Sequence, residues 1–174
     1  MAQIVIFTSC AIGCVLLSTI AADFIAKPLV ERWRPSSDPL IKYAVDVVDD
    51  YRPGKYGFFS AHAANTFSLA LYFSLWVKNR LFSFAMISWS LLNCYSRIYL
   101  GAHYPSDVVV GLLVGAVIAV LFYLLSRKLF FKISSNFNYV STQYSATGYS
   151  VTDIDMVLTV IGFLYILIII IPLL

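Results

Sequence analysis

The sequence predicts an all-α, polytopic membrane helix bundle with about five transmembrane helices. Three observations lead there. Hydrophobic types make up 60% of the 174 residues and charged types only 12%, against roughly 25% charged in soluble domains. Mean hydropathy is +0.83. The uncharged residues also fall into five long runs: 1–22, 57–77, 81–96, 108–125 and 156–174. With a few flanking residues, each approaches the ~20 residues a helix needs to cross a hydrocarbon core. Backbone groups inside that core must be satisfied within the segment, which selects helices over open strands. A barrel would show short alternating segments instead of continuous apolar runs. The length allows one domain, 1–174.

The first run is expected to be a retained helix. Met1, Ala2 and Gln3 precede its apolar residues, so it lacks the positive leader of a cleaved signal peptide. The long connection after it carries mixed charge. Within it, 38–51 reads as a short interfacial helix: Asp38 as cap, Pro39 at the first helical position, and Leu40, Tyr43, Ala44, Val47, Val48 and Tyr51 on one apolar stripe. It could equally be a loop helix packed on the bundle. Lys78 and Arg80 flank the shortest connection, and Arg127, Lys128 and Lys132 follow the fourth run. If every run crosses, these basic connections share one side, which the positive-inside rule assigns to the cytoplasm. Residues 27–56 and 102–106 then face the other side. Arg97 interrupts an apolar stretch that continues to Gly101. The polar connection 134–152 shows no evident chemistry.

Cys10, Cys14 and Cys94 all lie in apolar stretches and are expected to serve packing. A net charge of +3, scattered along the chain, does not suggest nucleic acid. No phosphate-cradling nucleotide loop is present, and no carboxylate–histidine cluster suggests a divalent metal. No cofactor is expected, and no protein partner is indicated.

Chemistry collects at the side opposite the basic connections. Lys27 and Arg34 follow the first run, Ser60, Ala61 and His62 open the second, Arg97 lies near the end of the third, and His103 and Asp107 bracket the start of the fourth. His62 and His103 are the chain's two histidines. An up-down path brings all these groups to one face. Asp107, four residues after His103, could take the hydrogen of one imidazole nitrogen and leave the other free as nucleophile or base. Tyr104-Pro105-Ser106-Asp107 also resembles a helix start, and the two roles are compatible. Ser60 suits an N-cap, and the free N–H groups behind it suit an anion. His62 could then protonate a leaving oxygen. Arg97 inside an apolar helix needs a partner or snorkelling, and its planar fork matches phosphoryl oxygens.

Three ordered motifs resemble the type 2 phosphatidic-acid phosphatase family. Lys27, six residues, then Arg34-Pro35 matches the first signature. Ser96-Arg97, five residues, His103, three residues and Asp107 matches the third. The middle signature, commonly Pro-Ser-Gly-His, reads Phe59-Ser60-Ala61-His62 and keeps Ser and His only. The motif-bearing core is 27–125. The resemblance implies a metal-independent hydrolysis through a phosphohistidine, with His103 as phosphoryl acceptor, Asp107 orienting it and His62 as acid. It implies that Lys27, Arg34, Ser60, the Ala61 N–H and Arg97 hold the phosphoryl oxygens. Membrane members commonly have six spans, one more than the runs counted here. The expected substrate is a membrane lipid phosphate or isoprenyl diphosphate, with undecaprenyl diphosphate first and phosphatidic acid, phosphatidylglycerol phosphate or lipid A as alternatives. The expected place is a bacterial inner membrane, with the site facing the periplasm or exterior. A lipid-phosphate transporter or binding subunit is the non-enzymatic alternative.

Overall fold

The computed structural model describes residues 2–48, 51–133 and 150–170. Its elements are α1 (Ala2–Thr19), a π-helical segment (Ile20–Ala26), α2 (Lys27–Val30), α3 (Ala61–Val77), α4 (Arg80–Tyr99), α5 (Pro105–Ile133) and α6 (Val151–Ile170). Among the described residues the only extended pairing is an isolated antiparallel bridge between Trp33 and Tyr56. Each of the five apolar runs lies on a long helix. Among the described residues two stretches, Val5–Val30 and Pro105–Lys132, are long and apolar enough by themselves to cross a membrane. Helix α3 starts four residues later than its run because the chain bends at 58–59 and Ser60 is the extended N-cap. Most of the polar connection, 134–149, lies outside the described residues, as does the end of the last run.

Helix α3 is the hub, packed against α1, α4 and α5, while α6 leans on α4. Its close fit to α5 comes from small residues. A Cβ on Gly111 would meet the Ser60 carbonyl oxygen at 2.7 Å, and one on Gly115 would meet the Ala64 carbonyl oxygen at 2.6 Å. Gly111 and Gly115 thus form a small-xxx-small face against Ala63 and Ala64, where backbones replace side chains as the packing surface. Further along, Cys10, Cys14, Tyr72, Trp76, Ile118 and Ala119 join α1, α3 and α5 in one buried cluster. The Trp76 indole donates to Ser126 Oγ at 3.1 Å, satisfying a buried donor. Cys94 is buried in a second cluster with Ala63 and Val108. Outside, Val109, Leu113, Val117 and Leu121 form an exposed apolar row along α5, a surface suited to lipid.

The expected helix over 38–51 does not form in its described part. One turn follows Asp38, whose side chain accepts from the Leu40 N–H at 3.0 Å and whose carbonyl accepts from Lys42 N at 2.9 Å. Beyond Ala44 the chain opens out. Tertiary bonds compete with helix propagation: Arg52 Nη1 donates to the Ser36 carbonyl at 2.5 Å and to the Lys42 carbonyl at 3.3 Å. The Lys42 carbonyl, which a helix over 38–51 would use internally, is therefore held by a cation. Leu40 and Tyr43, the residues expected on a packed stripe, are 92% and 89% exposed.

Candidate active site

Three chain connections meet at one end of the bundle. The π segment and α2 end at Glu31, whose φ of 48° turns the chain into the left-handed region. Residues 32–34 then run beside 55–57, held by Arg34 N–Lys55 O and Gly57 N–Arg32 O bonds, both 2.9 Å. At the end of α4, Gly101 adopts φ +62°, where glycine carries no Cβ penalty. Its carbonyl accepts from Ser36 N at 3.1 Å. The segments holding Arg34, Ser60 and His103 are thus tied together by backbone bonds. Gly57 is required by closeness: a Cβ there would lie 2.8 Å from Arg34 Cγ and 3.4 Å from His103 Nδ1.

Arg34 is locked by its neighbours. Nε donates to the Tyr56 carbonyl and Nη1 to the Ala102 carbonyl, each at 3.1 Å. Nη1 also lies 3.1 Å from His103 Nε2. A guanidinium only donates, so Nε2 must be the acceptor and a neutral His103 carries its hydrogen on Nδ1. His103 is 3% exposed. Burial, and then the charges of Arg34 and Lys27, push its pKa down to about 3. The imidazole is therefore neutral at pH 7, with a lone pair on the nitrogen beside Arg34.

The expected His103–Asp107 contact is looser than a hydrogen bond. Nδ1 lies 3.9 Å from Asp107 Oδ2 and has no hydrogen-bond partner. The reason is that His103 precedes α5, so it does not share the helical register of Asp107. Asp107 instead completes the helix start: Oδ2 accepts from Tyr104 N at 3.0 Å, and Pro105 occupies the first helical position. Its Oδ1 accepts from Arg32 Nη1 at 2.7 Å. The carboxylate is fully buried.

Ser60 caps α3, its Oγ accepting from Ala63 N at 3.4 Å. Its own N–H donates to the Asp107 carbonyl at 3.1 Å, joining the starts of α3 and α5. Ala61 and exposed His62 are the first two residues of α3. Arg97, in the last turn of α4, donates through Nε to Ser96 Oγ at 3.2 Å. Lys27 pairs with Asp23 one turn earlier. The charges of Arg97, Lys27 and Arg34 act on His62, and those of Arg34, Lys27 and His62 act on His103. The predicted histidines and cations therefore lie within electrostatic reach of one another at this end of the bundle. Among the described residues, no group of three or more His, Cys, Asp or Glu side chains is placed to hold a metal.

Sequence reasoning passed over Arg32. It pairs with Asp107, donates to Ser106 Oγ at 2.8 Å and stacks over the Tyr104 ring at 4.4 Å. Arg32 sits two residues before Arg34, and nothing in that spacing distinguishes it from a solvated loop cation.

Comparison with known proteins matches the PAP2 superfamily over residues 8–131. The chain is 40% identical over 111 residues to a lipid A 4'-phosphatase of Bacteroides thetaiotaomicron, covering 63% of this chain and 49% of that protein. It is also 40% identical over 111 residues to the lipid A 4'-phosphatase of Porphyromonas gingivalis, covering 62% and 47%. Identity to sphingosine-1-phosphate phosphatase 1 of Rattus norvegicus is 33% over 94 residues, 53% of this chain and 22% of that one. The chain spans about half the length of the first two relatives. No solved structure matches. With the family model covering the bundle from α1 through α5 and all three motifs within it, the chain belongs to the PAP2 superfamily.

Proposed function

We propose that this chain is an integral-membrane lipid phosphatase that works through a phosphohistidine on His103. The observation that carries this reading is the neutral, buried His103 whose Nε2 lone pair lies 3.1 Å from the Arg34 guanidinium. A phosphoryl group entering there would meet a nucleophile and a guanidinium charge together. The Nε2 lone pair forms the P–N bond as the P–O bond to the lipid breaks. His62, protonated beside the charge of the bound phosphoryl group, gives its proton to the departing oxygen, and a lipid alcohol leaves. Water then attacks phosphorus, the P–N bond breaks, inorganic phosphate leaves and His62 takes the water proton. Arg34, Lys27, Arg97 and the N–H groups opening α3 supply charge stabilisation for the phosphoryl oxygens. Ser60 contributes chiefly through its cap, which fixes where those N–H groups point.

The preferred substrate is a phosphate monoester on a lipid A-type glycolipid. The two lipid A 4'-phosphatases and the sphingosine-1-phosphate phosphatase support it, because their names share a lipid phosphate monoester. Undecaprenyl diphosphate, expected first from the resemblance to compact bacterial members with an outward site, therefore moves behind a monoester. The test is phosphate release by purified, folded protein from lipid A, undecaprenyl diphosphate and phosphatidic acid, each with a chelator present. Release fastest from lipid A is expected. Preference for the diphosphate would overturn the substrate. Lipid-phosphate flux in sealed vesicles with no hydrolysis of any substrate would overturn the enzymatic reading.

A further inference from the structure

We infer that Arg32 is a positioning residue that, alongside Arg34, biases the tautomer of His103 by fixing the Asp107 carboxylate. This rests on the nucleophile assigned to His103 above and adds a residue that the phosphate-binding set does not contain. Asp107 is fully buried and cannot carry its charge there without partners. Arg32 supplies a charge-assisted bond to Oδ1 at 2.7 Å, while Tyr104 N holds Oδ2 at 3.0 Å. With both oxygens held, the carboxylate cannot turn about its Cβ–Cγ bond. Oδ2 is thereby left facing His103 Nδ1 at 3.9 Å, close enough for a small approach of the ring to make a bond.

Arg32 is itself anchored on three sides. Its second bond, to Ser106 Oγ at 2.8 Å, and its stacking over Tyr104 use two more features of the same helix start. On the other side, its carbonyl accepts from Gly57 N at 2.9 Å. Gly57 is also the residue whose missing Cβ makes room for Arg34 Cγ and whose backbone lies against His103 Nδ1. Arg32 therefore spans from the segment that packs on the imidazole to the carboxylate that faces it. Arg34 acts on the opposite nitrogen. Two arginines, with Trp33 between them, bracket the ring and act on the tautomer jointly: Arg34 favours an acceptor at Nε2, and Arg32, through Asp107, favours hydrogen on Nδ1.

The consequence is specific. Without Arg32 the phosphate-binding cations remain, so phosphate should still bind, but the attacking tautomer should be depleted. Arg32→Gln is expected to lower kcat by up to about 10²-fold, the scale of a small misplacement at a reacting group. The inhibition constant of inorganic phosphate should stay within about twofold. Combined with Asp107→Asn, Arg32→Gln should add almost nothing, because both changes remove one interaction. Arg32→Lys keeps one charged bond to Asp107 without the planar fork, and should fall between wild type and Arg32→Gln. It also serves if the glutamine variant does not fold.

A second readout does not need turnover. The chain has two histidines, so 15N-imidazole signals can be assigned with a His62→Gln variant. Wild-type His103 should show hydrogen on Nδ1, and Arg32→Gln should show a mixture of tautomers. If wild-type protein hydrolyses no lipid yet the tautomer follows Arg32, the proposed function fails while this inference stands. A kcat loss that is additive with Asp107→Asn, or a weakened phosphate inhibition, would make Arg32 a phosphate ligand and overturn the inference. An unchanged tautomer in both Arg32 variants would overturn it as well.

Discussion

Gly111 and Ser60 meet without side chains between them: a Cβ on the glycine would stand 2.7 Å from the serine carbonyl oxygen. The helix starts that carry His62 and Asp107 are therefore spaced by backbone contact. Widening that contact should move the candidate acid relative to the nucleophile. Gly115→Val, one turn deeper, is expected to cost about 1–3 kcal/mol of stability through overpacking and to reduce phosphate release. Gly54→Ala, where nothing lies within 4 Å of the added carbon, should change neither. Thermal unfolding in detergent beside a release assay separates the cases. An unchanged Gly115→Val would show that α3 and α5 do not need this spacing.

His103 and His62 are predicted to fail differently. His103→Ala should abolish both turnover and the trapped phosphoenzyme. His62→Ala should slow bond cleavage by about 10²–10⁴-fold, with partial recovery on an activated ester whose leaving group needs little protonation. Rapid-quench labelling with a radioactive lipid phosphate checks both. The trapped species should be acid-labile and base-stable and should map to His103. Label of normal yield in His103→Ala would exclude the mechanism.

The low pKa of His103, about 3 against an ordinary 6.5, makes a stability prediction with a definite sign. Between those values the unfolded imidazole holds a proton that the folded one does not. Stability from this group therefore rises with pH across that window, is complete above about 6.5 and is lost as pH falls toward 3. The slope is at most about 1.4 kcal/mol per pH unit. Acidifying from pH 7 to 4.5 should destabilise wild type more than His103→Gln in detergent-phase unfolding. Parallel pH curves would mean that His103 is not held neutral.

Orientation in the membrane is predicted from the basic flanks. Lys78→Cys should resist a membrane-impermeant thiol reagent in intact cells, and Lys55→Cys should react. Cys10, Cys14 and Cys94 are buried, so background labelling should be low. The reverse pattern would place the candidate site on the cytoplasmic side, leaving the chemistry intact but changing which leaflet supplies the lipid.

Much of the bundle was legible because its causes are local. Long apolar runs make helices wherever water is excluded, and Ser60 and Pro105 mark starts through bonds and angles within a few residues. The convergence of Lys27, Arg34, His62, Arg97 and His103 was legible too, because an up-down path leaves few places for the ends of the helices. The helix over 38–51 was misread because its periodicity is real but Arg52 draws the chain into tertiary bonds at Ser36 and Lys42, a competitor that local pattern does not show.

What the sequence by itself determined was the membrane-like composition, the helical runs and the identities of the groups brought to one end. Only the tertiary structure decided how those groups pair. Spacing suggested Asp107 to His103, yet the carboxylate is held by Arg32 and the helix start, and the imidazole meets Arg34. The physical reason is that helix register ends at Tyr104. His103 lies outside α5, and beyond a helix terminus partners are chosen by the packing of three loops, which involves contacts across about 70 residues of chain.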